Sequence, residues 1–87
     1  MIISVTSDHI RRGRPGSSCY GPVSLAISAA VSTRYVKVEK EEIVFILAGD
    51  NKSIHCFTPP KVQNFMLAFD CGQFVAPFKF DLPLDVE

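Results

Sequence analysis

Three arginines, Arg11, Arg12 and Arg14, are threaded through Gly13, Pro15, Gly16, Ser17 and Ser18, and the segment runs into an apolar stretch opening at Gly21 and Pro22. A helix start leaves backbone N–H groups without intrahelical partners and presents about half a positive charge. Basic side chains arriving there form an anion seat. Arg11, Arg12, Arg14, Ser17, Ser18 and Gly21 are therefore the candidate ligand-binding residues, and the expected ligand is a nucleotide or another phosphate-bearing small molecule.

Cys19 offers a second chemistry. A thiol just before a helix can become a reactive thiolate, with Arg14 and the helix dipole assisting. It would need a base, and His9 and His55 are the only histidines. Nothing in the spacing brings either to Cys19, so packing is the expected role of Cys19, Cys56 and Cys71. His9, Cys19, His55, Cys56 and Cys71 include the ligand types of zinc but no CxxC or HxxxH pair. No metal and no cofactor is expected. Walker, GxGxxG, GxSxG and HExxH patterns do not occur, and the chain is not expected to be an enzyme. Asp70 stands at a helix end against the dipole, where it would either pair with a loop arginine, closing the empty seat, or bond to nearby turn amides.

The elements that must position these residues follow from periodicity. Ile2 to Thr6 is β-branched and reads as a strand, with Ser7 and Asp8 capping a brief turn before the arginine loop. A helix is predicted from about Gly21 to Val31, with Val23, Ala26, Ile27 and Ala30 at i, i+3, i+4, i+7 spacing and Pro22 in its first turn. Tyr35 to Val38, Ile43 to Leu47 and Ser53 to Phe57 read as strands, the last two joined by an Ala48-Gly49-Asp50-Asn51 hairpin turn. A second helix opens at Thr58-Pro59-Pro60 with the Thr58 hydroxyl as its cap, shows Val62, Phe65, Met66 and Phe69 in helical spacing, and stops at Gly72. Phe74, Ala76, Phe78 and Phe80 alternate along a last strand with one aromatic face, where Pro77 marks an edge or bulge. Leu82 to Glu87 is an acidic tail. The fold class is thus α+β, one domain over residues 1–87 in the order β-α-β-β-β-α-β, with an antiparallel or mixed sheet and both helices packed on it.

Composition bounds the function. A chain of 87 residues buries only about 60–65% of its unfolded surface. With an apolar fraction of 47% and seven Phe, an apolar patch for a partner and a homo-oligomer are expected. Formal net charge is zero, which argues against general nucleic-acid binding. The charge is uneven, with six basic and two acidic residues in 1–40 and three basic and seven acidic in 41–87. An odd three cysteines favour a reducing cytoplasm, and no apolar run reaches the ~20 residues of a membrane span.

Three pieces together resemble a group of short uncharacterised proteins of tailed phages and prophages. They are Val5-Thr6 with His9-Ile10 and Gly13; Cys19 and Pro22 leading into Leu25-Ala26-Ile27; and Val62, Phe65, Phe69-Asp70, Gly72, Val75, Pro77-Phe78 and Phe80. Some members carry a cysteine directly before the helix proline, where Gly21 stands here. The group has no assigned activity, so no site residue carries over from it. The resemblance implies a phage accessory protein acting by binding, sequestering a nucleotide signal of host defence or docking on a host enzyme. The alternative to the anion seat is an inhibitor of a host enzyme that docks through the aromatic strand edge from Phe74 to Phe80.

Overall fold

The computed structural model describes residues 1–82. Their order is β1 (Ile2–Val5), α1 (Ser7–Arg12), α2 (Pro22–Ala30), β2 (Thr33–Val38), β3 (Glu42–Leu47), β4 (Ser53–Phe57), α3 (Pro60–Asp70) and β5 (Phe78–Asp81). The α+β class and the expected order hold, with α1 added. The strands form two antiparallel sheets rather than one. β2, β3 and β4 make a meander, and β1 pairs with β5, matching Ile3 to Phe80 and Val5 to Phe78.

The short meander turns follow from local chemistry. Gly49 has φ +84°, and Asp50 Oδ1 accepts the N–H groups of Asn51 at 2.7 Å and Lys52 at 3.1 Å. These bonds hold the Asp50 carboxyl below its ordinary value, Lys52 contributing most and Asn51 next. β1 and β5 instead meet across the whole chain, and the Met1 ammonium donates to Asp81 Oδ1 at 2.9 Å and to the Leu82 carbonyl at 3.0 Å. Leu82 itself is fully buried, so it belongs to the core and not to an acidic tail. Residues 83–87, the remainder of that expected tail, lie outside the described residues.

Helix α1 replaces the expected brief turn because Thr6 caps it. Thr6 Oγ1 accepts the His9 N–H at 3.3 Å, and the Thr6 N–H donates to His9 Nδ1 at 3.1 Å. This is a capping box with histidine in the place of the usual Glu or Gln. The helix ends at Gly13, which packs so closely on α2 that a Cβ there would stand 2.5 Å from Pro22 Cδ. Gly13 therefore admits no side chain without a shift of the α1–α2 junction.

Pro22 opens α2, whose Val23, Ala26 and Ile27 are buried; the helix contacts β1, β2 and α1. Val62 and Phe65 anchor α3, and the Phe65 ring lies 4.6 Å from Phe78, which in turn lies 5.9 Å from Phe80. Phe45 of β3 is among the fully buried side chains at the centre, where truncation to alanine costs about 3–5 kcal/mol. Gly72, at φ +78°, closes α3 as expected, donating to Phe69 O while Gln73 donates to Ala68 O.

Two local expectations change. The Thr58 hydroxyl does not cap α3; it is buried and donates to the Glu39 carbonyl at 2.8 Å, because a hydroxyl withdrawn from water must keep a partner. The last strand begins only after Pro77, and its aromatic face points inward: Phe80 is 5% exposed, and Phe74, ahead of the strand, is 94% exposed. An exposed aromatic edge over Phe74 to Phe80 is thus reduced to Phe74, since Phe78 is drawn against Phe65 and Phe80 is buried beside Phe78. No helix among the described residues is long and apolar enough to cross a membrane.

Candidate functional site

The loop from Gly13 to Gly21 is stitched to its surroundings mainly by its own backbone. Arg14 N–H donates to Tyr20 O at 2.9 Å, Tyr20 N–H to Ser17 Oγ at 3.1 Å, and Ser24 Oγ to Ser18 O at 2.6 Å. Ser18 O also accepts the Val38 N–H at 2.8 Å, tying the loop to β2. On the far side, Gly16 N–H donates to Asp70 Oδ1 at 2.9 Å. Asp70 thus holds the loop through a backbone amide, neither pairing with an arginine nor bonding only to its own turn. Gly16 has φ +72°, a conformation that glycine adopts without steric cost.

The candidate residues divide between different surfaces. Arg11 pairs with Asp8, and Arg12 Nε lies 3.4 Å from Asp8 Oδ2, so both arginines sit on α1 around one carboxylate. Arg14 leaves the loop and places its guanidinium 5.6 Å from the centre of the Tyr20 ring. Ser17 and Ser18 line the start of α2 with Gly21, which serves as its N-cap residue. The hollow beside that helix start measures about 20 Å³, room for about one water, and Asp70 borders it. An adjoining recess at Gly16, Ser17 and Ser18 is bordered by Glu39, Lys40 and Asp70. Asp70 beside the helix start opposes an anion there, whereas Glu39 in the adjoining recess stands with Lys40 and is paired with Lys37 at 3.0 Å.

A different cleft opens on the other side of the loop. It measures about 270 Å³ and lies between Cys19 and Tyr20 of the loop, Ser28 of α2, and Thr33, Arg34 and Tyr35 of β2. The β2–β3 register slips between Thr33 and Tyr35, a bulge that falls on Arg34. Bulges re-aim side chains at sheet edges, and Arg34 is among the residues lining the cleft. Desolvation first, and then a hydrogen bond with Cys19, raises the Tyr35 hydroxyl above its ordinary value of 10.0, so it is neutral at physiological pH. No carboxylate lines this cleft, though Glu39 acts electrostatically on Tyr35 and Asp50 on Arg34 from outside it.

The other titratable side chains are engaged elsewhere. His9 is the cap partner of Thr6, and His55 Nδ1 lies 3.1 Å from Glu42 Oε2, so neither imidazole serves Cys19 as a base. Cys19 is half-buried, Cys71 exposed, and burial pushes the Cys56 thiol up. Among the described residues no group of three His, Cys, Asp or Glu is placed to hold a metal ion.

Tyr20, Arg34 and Tyr35 are the residues that sequence reading did not single out. The signal available was Tyr20 beside Cys19 in the loop and Arg34-Tyr35 opening a strand, and only the packing of the loop on β2 joins them. Comparison with family models, curated proteins and solved structures finds no match to this chain.

Proposed function

We propose that the chain is a non-enzymatic binding protein that takes a phosphate-bearing, ring-containing small molecule, a nucleotide by chemistry, in the cleft between the loop and β2. What supports this reading is the company of side chains there: two tyrosines and Arg34 line the cleft, with Arg14 over the Tyr20 ring and no carboxylate in the lining. Tyrosine rings stack on bases, and guanidinium groups are the preferred partners of phosphate oxygens. The anion reading of the loop is kept, and its centre moves from the start of α2, where Asp70 stands, to the cleft at β2. Arg14 is the one arginine of the original set that contributes. The setting is a reducing cytoplasm, and in a phage such a protein would sequester a nucleotide signal of the host.

A thermal-shift screen against mono-, di- and cyclic nucleotides, with inorganic phosphate as control, tests this, because a ligand that binds only the folded state raises its melting temperature. Arg34→Ala and Tyr20→Ala should remove the shift, and the double variant Arg11→Ala with Arg12→Ala should retain it. The reverse pattern would return the site to α1 and the start of α2. A flat screen would overturn the nucleotide reading and favour a host protein as partner.

A further inference from the structure

β4 (Ser53–Phe57) is the last strand in the sheet order β2-β3-β4, so its outer side meets no strand of the described residues. Thr58 N–H donates to Glu41 O, continuing the register in which Glu42 faces Phe57. Hydrogen-bonded pairs alternate along an antiparallel ladder. Ile54 and Cys56 therefore turn their peptide groups toward β3, and Ser53, His55 and Phe57 turn theirs outward. Proteins guard such an edge with a bulge, a proline or a covering loop. The opposite edge has such guards: β2 carries the bulge at Arg34, and Ser18 O accepts the Val38 N–H. β4 runs Ser-Ile-His-Cys-Phe in unbroken register, with Phe57 77% exposed at its end.

We propose that this edge pairs antiparallel with the same edge of a second copy, across a two-fold axis at His55. In that register His55 meets His55, and Ser53 of each copy meets Phe57 of the other, so every outward peptide group of the strand gains a partner. The large Phe57 ring falls beside the small Ser53. Each His55 imidazole is held toward its own Glu42, at 3.1 Å, on the solvent face of the sheet.

Charge selects a second copy as the occupant. Lys52 lies just before β4, and Glu41 lies opposite Thr58 just after it, so the two-fold sets Lys52 of each copy in line with Glu41 of the other. They are separated by two strand spacings, roughly 10 Å between Cα atoms, which a lysine and a glutamate side chain together bridge. Asp50 in the same turn accepts the Asn51 and Lys52 amides, and its charge also acts on Lys52 from within the same copy. Two-fold pairing is closed, and the guarded β2 edge stops the sheet from growing further. The inference stands apart from the nucleotide reading, whose cleft lies at β2, the other edge of the sheet.

Sedimentation velocity over a concentration series tests it. The native chain should reach a dimer. His55→Pro, placed where the N–H points away from β3, should give a monomer with an unchanged circular dichroism spectrum. Lys52→Glu and Glu41→Lys should each weaken the dimer by about tenfold, and the double charge swap should restore it. A chain that stays monomeric at every concentration overturns the proposal, as does a dimer that survives His55→Pro or a double swap no better than the single variants. If His55→Pro fails to fold, the charge series alone decides.

Discussion

Gly16 and Asp70 lie 54 residues apart and are joined by a 2.9 Å hydrogen bond from the backbone N–H to the carboxylate. Through it the end of α3 holds the tip of the basic loop, and the same carboxylate borders the hollow at the start of α2. Asp70→Ala should cost about 1 kcal/mol, or roughly 5 °C in melting temperature for a domain of this size. Hydrogen exchange at the Gly16 amide should quicken, and Asp70→Asn, which keeps an acceptor oxygen, should retain most of the protection. Exchange at Gly16 that is unchanged in Asp70→Ala would show that the bond does not hold the loop in solution.

The thiols should react in order of access. Cys71 is exposed, Cys19 is half-buried against Tyr35, and Cys56 is buried with its thiol pushed up by desolvation. Because the thiolate is the reactive form, alkylation followed by mass spectrometry should modify Cys71 first, Cys19 next and Cys56 last. Early modification of Cys56 would mean that β4 opens readily from β3.

Acid should act on the β3–β4 turn through Asp50. Its carboxyl is depressed below 3.8 by the amides of Lys52 and Asn51, so its contribution is fully present above that ordinary value and is lost as pH falls through the lower folded one. Asp50→Asn should therefore be less stable than the native chain near neutrality, and the difference should shrink on acidification below about 4. Parallel denaturation curves at several pH values check this, and a gap that stays constant would rule Asp50 out as its source.

The helices and the meander are legible because their signals are local. Val23, Ala26 and Ile27, like Val62 and Phe65, repeat at helical spacing over enough residues to define a buried stripe, and Pro22, Gly49 and Gly72 stand where their backbone geometry is required. Helix α1 is short, and its capping partner is His9 rather than a glutamate, so its signature is faint. Of the three loop arginines, Arg14 is the one placed against a residue of the cleft, Tyr20. Charge along a chain does not tell which way a side chain leaves its element, and the Asp8 that gathers Arg11 and Arg12 acts only once α1 has formed.

The sequence by itself determined the α+β class, three central strands, two principal helices and the turns between them, because each depends on neighbours within a few residues. Only the tertiary structure decided that β1 pairs with β5, that Asp70 reaches Gly16, and that Tyr20, Arg34 and Tyr35 share a cleft. Those contacts join parts of the chain distant in sequence, or elements whose relative packing no local signal sets, and each exists only after the core has closed around Phe45 and its neighbours.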